Sequence, residues 1–422
     1  MSKRYSLLYT VILSAVFMVS AFGYTVVRAD DTNAWTVNRN NLRAGPGAQY
    51  AVLTTLQPST PVVLQARTAN EGWLLIRVQG SAVRGWVAGI LLKLAPAVRL
   101  RSLPISTEVI PGGSNPAAAQ PDNSPANNTD NPSGVGDLST DKPVFGQNLL
   151  PMPKNLPTGA INLPILPAIS GSVRSAMRAV YEKGKSLGNN PRVFSKVGDC
   201  HTDHPLFFNI IGDNNYNLGS YGNLQEVINN FSVAPRPNSG NSFNMQSMAA
   251  HSAFSSGAVL DSQWSNPTLC KVNDDETPLR CEYRLNKPAV AIIMFGVVDV
   301  LVMQPQQFNN YMRYIVKDTM DQGIIPILST AGENASNPAL AREFNQIVVA
   351  IARDKHVPII NLEAALEKLP NKGLDPDGIH LSRTADLKQA AVFNDGNLQT
   401  GYTMRNLVTL QALDIVWRQI MN

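Results

Sequence analysis

The chain has 422 residues, enough for two or three domains and a sizeable core. With 44% apolar and 16% charged residues it is neither a disordered polymer nor a multi-span membrane protein. A net charge of +4 without a Lys/Arg cluster interleaved with aromatics argues against nucleic acid as a partner, and 3 cysteines exclude a disulfide-framed miniprotein and an all-thiolate zinc site.

Lys3 and Arg4 precede an apolar run from Leu7 to Val27 that closes on Val27-Arg28-Ala29, with small residues where a signal peptidase reads. Residues 1–29 therefore read as an export signal, and the run is long enough to persist as an N-terminal membrane anchor if uncleaved. The remainder is expected outside the cytoplasm. In that oxidising setting Cys270 and Cys281, joined by a short polar loop, are expected to form a disulfide, leaving Cys200 as the odd thiol.

Residues 34–95 alternate short β-type runs with turn residues, as in Val62-Val63-Leu64, Trp73 to Val78 and Gly85-Trp86-Val87, the pattern of a small all-β barrel. Asn41-Leu42-Arg43-Ala44-Gly45-Pro46-Gly47, followed by Gly72-Trp73 and Gly85-Trp86-Val87, resembles the bacterial SH3-like domain. That resemblance implies a binding role toward cell-wall or surface glycan. Trp73 and Trp86 are candidates for stacking on sugar, against the alternative that both fill a small core. Residues 96–168 are rich in Pro, Asn, Ser, Gly and Ala and read as a flexible linker, because such a segment cannot bury enough apolar surface to offset its ordering entropy.

From residue 170 to 422 helices and strands alternate. Ser172 to Leu187, Gln306 to Gln322 and Pro338 to Lys355 have helical patterns, whereas Val193 to Val197, Ala289 to Phe295, Ile324 to Leu328 and Val357 to Asn361 read as strands. Strands separated by helices imply a parallel sheet covered on both faces, with ligands bound beyond the C-terminal strand ends. Three motifs stand at such ends: Gly198-Asp199-Cys200-His201, Gly296-Val297-Val298-Asp299, and Asp375-Pro376-Asp377-Gly378-Ile379-His380. In this order they resemble the SGNH/GDSL hydrolase superfamily, which implies a three-layer α/β/α, flavodoxin-like domain.

Carried over residue by residue, the resemblance makes His380 the general base and Asp377 its orienter, and puts Cys200 where the nucleophilic serine is expected. His380 nearby would then lower the thiol pKa. Val298 occupies the position of the oxyanion asparagine and cannot donate, a loss worth roughly 10²–10³ in rate. Gly240 is the candidate for a further oxyanion donor, with Gly219 and Gly222 as alternatives, and Gly296 and Asp299 complete the oxyanion and substrate-binding set. The acidic and basic residues from Asp274 to Arg284 read as a solvated, paired surface, with a loop that shapes a substrate cleft as the alternative. His201 and His204 follow Cys200 without the spacing of a standard ligand set, so no metal and no cofactor is expected. The expected function is an exported esterase or deacetylase acting on cell-envelope carbohydrate esters. The alternative is a surface binding protein with a degenerate SGNH domain.

Overall fold

In the computed structural model the described residues are 33–36, 40–46, 50–57, 59–68, 73–95, 98, 100–111, 151–153, 156, 163–237 and 239–422. The expected leader at 1–29 and most of the expected linker lie outside them. No helix among the described residues is long and apolar enough to cross a membrane.

Seven strands, β1 (Ala34–Thr36), β2 (Asn40–Arg43), β3 (Val52–Leu56), β4 (Pro61–Arg67), β5 (Trp73–Val78), β6 (Arg84–Ala88) and β7 (Leu92–Leu94), form one antiparallel sheet in the order β3-β2-β6-β5-β4-β1-β7. Leu42, Val62, Leu64, Leu74, Ile76 and Val87 fill its interior. The strand alternation sends Trp73, Leu75, Trp86 and Ala88 to a second cluster, which Ile110 and Val302 help cover. The expected linker boundary at residue 96 therefore needs correction. Residues 104–110 are stitched to the barrel by Arg67 N–H to Pro104 O (2.9 Å), Ser106 N–H to Arg67 O (2.9 Å) and Ile110 N–H to Ala44 O (2.7 Å). Here backbone hydrogen bonding overrides a composition that suggested a linker.

The second domain holds helices α1 (Gly171–Ser186), α2 (Cys200–Asp203), α3 (Asn209–Gly212), α4 (Gln225–Phe231), α5 (Pro278–Asn286), α6 (Asp299–Val302), α7 (Pro305–Asp321), α8 (Pro338–Lys355), α9 (Leu362–Glu367) and α10 (Gly401–Val416). Strands β8 (Asn190–Gly198), β9 (Pro288–Met294), β10 (Ile325–Ser329) and β11 (Ile359–Ile360) pair in parallel in the order β11-β10-β9-β8. Ser170, Thr277 and Asn337 cap α1, α5 and α8 through their side chains, and prolines open α5, α7 and α8. Phe194 of β8 packs edge-on against Phe231 of α4, while its neighbour Ser195 bonds Glu282 of α5. Successive strand residues point to opposite faces, so α4 and α5 cover opposite sides and the domain is a three-layer α/β structure.

A fifth parallel strand survives only as a bridge between Gly198 and Ala250. Residues 242–250 run beside β8, held by polar clamps in place of a full ladder. Ser242 Oγ accepts from Phe194 N–H (3.0 Å), and Lys196 Nζ donates to Phe243 O (2.8 Å). Glu282, fully buried, accepts from Ser195 Oγ (2.6 Å), Met248 N–H (2.7 Å) and Asn286 Nδ2 (2.7 Å). The solvated-surface reading holds for the pairs Arg280–Asp318 and Arg284–Glu276 but is corrected for Glu282. With this segment included, the spatial order switches direction at β8, which places a ligand crevice at its C-terminal end.

Glu282→Ala should leave three donors without this acceptor, of which the two fully buried ones, Ser195 Oγ and Asn286 Nδ2, cost roughly 1–3 kcal/mol each. Thermal unfolding followed by circular dichroism should show the melting temperature down by about 5–15 °C for a domain of this size. An unchanged melting temperature would contradict the clamp.

Candidate active site

β8 ends at Gly198, and the next residues turn at once into α2. A Cβ on Gly198 would lie 2.3 Å from Met294 O and 2.4 Å from Thr202 Oγ1, so only glycine lets the two strands and the helix approach this closely. Asp199 caps α2 and is wholly buried. One carboxylate oxygen accepts from His201 N–H (3.2 Å) and the other from Val297 N–H (3.1 Å), which ties the end of β8 to the loop after β9. On that loop Asp299 accepts from Ser256 Oγ (2.6 Å), Ser256 N–H (2.8 Å) and Gly296 N–H (3.0 Å). Burial, with the neighbouring Asp299 charge, pushes the Asp199 pKa up to about 7, and burial pushes that of Asp299 up to about 6.

Cys200 opens α2 and clusters with Val297, Val298 and Ala331, with Val302 and Ile379 against them. Its thiol is free, and Cys270 and Cys281 form the disulfide. Burial and then the Asp199 charge raise the Cys200 pKa well above the usual thiol range, against the weaker pull of the His201 amide. The expected lowering by His380 is thus corrected. Desolvation dominates, and among the described residues Cys200 makes no hydrogen bond to His380.

The loop from Leu374 to Leu381 closes through a bridge between those two residues. Asp377 Oδ1 accepts from the Ile379 and His380 amides (2.9 Å each), and Asp377 Oδ2 meets His380 Nδ1 at 2.7 Å. Partial burial raises the Asp377 pKa, but the His380 ring and the two amides outweigh it and bring the net shift below the ordinary carboxylate value. Gly378 has φ +69°, and a Cβ there would lie 2.5 Å from that of Ala335, so the loop requires glycine at its apex. The Asp377 bond fixes Nδ1, which leaves Nε2 to handle a proton. The His380 ring centroid lies 5.8 Å from that of His201, the residue after Cys200.

The other expected residues take different places. Gly240 precedes the segment 242–250, at the end of β8 remote from Cys200, so it is not an oxyanion donor; after Ala250 the chain reaches the site instead through Ser252 to Gly257. The Gly296 amide and Asp299 carboxylate bond each other and build the loop, so the expectation that they contact substrate is corrected. Trp86 is fully buried, with Nε1 donating to Glu108 O (2.8 Å), and cannot stack on a ligand. Trp73 faces the second domain.

Arg405 escaped the sequence reading. From α10 it donates to His201 O (2.5 Å) and Thr202 Oγ1 (2.9 Å), with its guanidinium 3.7 Å from the Phe207 ring centroid, and so it braces α2 from behind. Burial lowers its pKa to about 10. A lone arginine within the apolar run Tyr402 to Val416 was the available signal.

Alkylation of Cys200 by iodoacetamide should rise with pH through a midpoint above that of a free cysteine, about 8.5, and Asp199→Asn should move it down. A wild-type plateau below pH 8 would contradict this. The unfolded reference for both acids is 3.8, so their contribution to stability is complete below that value and lost as pH rises through about 6 and about 7. Chemical denaturation across pH 4–8 should therefore show a shallower decline for Asp299→Asn.

No curated protein sequence matches the chain. Among solved structures, a lipase/acylhydrolase from Enterococcus faecalis is 14% identical over 53% of this chain and 95% of its own, with a TM-score of 0.34. A GDSL-like lipase from Bacteroides thetaiotaomicron is 14% identical over 56% and 97%, with a TM-score of 0.32. An acetylxylan esterase from Geobacillus stearothermophilus is 16% identical over 52% and 93%, with a TM-score of 0.33. Residues 37–93 match the family model of the bacterial SH3 domain. The chain thus carries a bacterial SH3 domain as its N-terminal module, followed by a three-layer α/β domain.

Proposed function

We propose that the second domain is an SGNH-type ester hydrolase and that its substrate is an O-acylated carbohydrate of the cell envelope, met outside the cytoplasm. The observation that carries this reading is the Asp377–His380 dyad, fixed at 2.7 Å on a loop whose Ile379 packs into the Cys200 cluster. The N-terminal leader pattern, the disulfide and the bacterial SH3 domain support the location.

In the proposed reaction Cys200 Sγ attacks the acyl carbon while its proton passes to His380 Nε2. Asp377 steadies the imidazolium. Collapse of the tetrahedral intermediate expels the sugar oxygen, which takes the proton from His380 and leaves a thioester on Cys200. Water, deprotonated by His380, then releases the acid. A neutral resting thiol makes the first proton transfer costly, so the dyad must act in concert with attack.

The second reading is a binding protein with a silent cleft. Its support is the raised thiol pKa together with apolar Val298 at the oxyanion position. Hydrolysis of p-nitrophenyl acetate and of acetylated chito-oligosaccharides by the full chain decides between them. An active enzyme should lose at least 10²-fold in kcat/KM on Cys200→Ala and on His380→Ala, and gain about 10- to 100-fold on Val298→Asn. A wild-type rate equal to that of Cys200→Ala, with Val298→Asn equally inactive, would establish the binding reading.

A further inference from the structure

The module and the second domain enclose a cavity of about 610 Å³, within the roughly 300–1,000 Å³ range of small-ligand sites. Asn40, Asn41 and Trp73 stand on the module wall, Trp264, Gln307 and Tyr311 on the opposite wall, and Val298 lines it on the catalytic side. Val298 also touches the Cys200 cluster, so the cavity opens against the residue that flanks the nucleophile. Asn40 is 1% exposed, and although its Nδ2 donates to Leu91 O (2.8 Å), its buried Oδ1 has no partner among the described residues. A buried acceptor left unpaired destabilises the fold, a cost that a donor from a bound molecule would remove.

From this we infer that the cavity is a saccharide subsite shared by the two domains, in which the SH3 module supplies one wall of the substrate cleft. Aromatic faces on both walls suit the apolar faces of sugar rings, and the amides suit hydroxyls. Among the described residues one cation, Arg43, and one anion, Asp261, line the cavity, so their charges balance and select neither a phosphate nor another anion. The ligand class is therefore a neutral oligosaccharide. Its acyl-bearing unit would reach past Val298 toward Cys200. This deepens the proposed function, on which it rests only for the identity of the ester.

Binding is measured apart from turnover, by isothermal titration calorimetry and tryptophan fluorescence on the full chain carrying Cys200→Ala. Chitotetraose and cellotetraose are the probes. At least one should bind, and Trp264→Ala and Asn41→Ala, one on each wall, should each weaken it at least tenfold, with Lys317→Ala on α7 as the unaffected control. Because Asn41 is exposed, its variant should keep the fold, which circular dichroism checks. Binding without any ester hydrolysis would support the subsite and overturn only the proposed function. Absence of binding by both probes at millimolar concentration, or unchanged affinity in both wall variants, would overturn the subsite. So would wall variants that instead alter the preference between p-nitrophenyl octanoate and p-nitrophenyl acetate, since the cavity would then hold the acyl chain.

Discussion

The buried carboxylate of Asp199 is the constraint on which the site depends. Its two oxygens serve two amides from different parts of the chain, His201 at the first turn of α2 and Val297 on the loop after β9. That arrangement fixes the position of Cys200 relative to Val298 without any contact between their own polar groups. It also puts a titrating carboxyl beside the thiol. One group thus sets both the geometry of the Cys200 thiol and its reluctance to ionise, and Arg405 behind α2 offsets only part of the charge.

The arrangement of the module follows from its strand pattern. β5 is buried on both faces, because Leu74 and Ile76 face the barrel interior while Trp73 and Leu75 face the second cluster, where Val302 packs against them. Since α6 carries Val302 and directly follows Val298, the barrel and the loop after β9 share one structural support. The Arg43 guanidinium, half-buried at the junction, has its pKa lowered by desolvation and feels the Tyr311 phenol across the boundary. Two domains with separate cores are in this way joined by a few side chains close to Cys200.

Much of this was legible in the sequence. Continuous apolar runs such as Ala289 to Phe295 announced the parallel strands, and the three strand-end motifs marked the edge of the sheet where Cys200 and the Asp377–His380 pair now stand. The segment 242–250 was not legible, because Ser-Phe-Asn-Met-Gln-Ser-Met has no β-branched residue and its polar-apolar alternation breaks after Gln246, and side-chain clamps from Lys196 and Glu282 hold it. Gly240 was misplaced for the same reason. Glu282 looked like one more surface charge among Arg280 and Arg284, since helix phase alone does not say which charge turns inward. The thiol pKa was misjudged because desolvation is a property of the packed neighbourhood and leaves no mark in local sequence.

The same clamps have a consequence for association between chains. A parallel sheet normally ends in strands that present rows of unpaired backbone groups, which another chain can extend. Here β8 is shielded on its outer side by Ser242, Ala249 and His251, which take up Phe194 N–H, Gly198 N–H and Gly198 O in turn. At the far side β11 is only two residues long, and the next residue, Asn361, bonds the carbonyls of Leu163 and Ile165 through its side chain and its amide. Among the described residues the polar groups at both margins of the sheet are thus taken up within the chain, which opposes edge-to-edge growth through them.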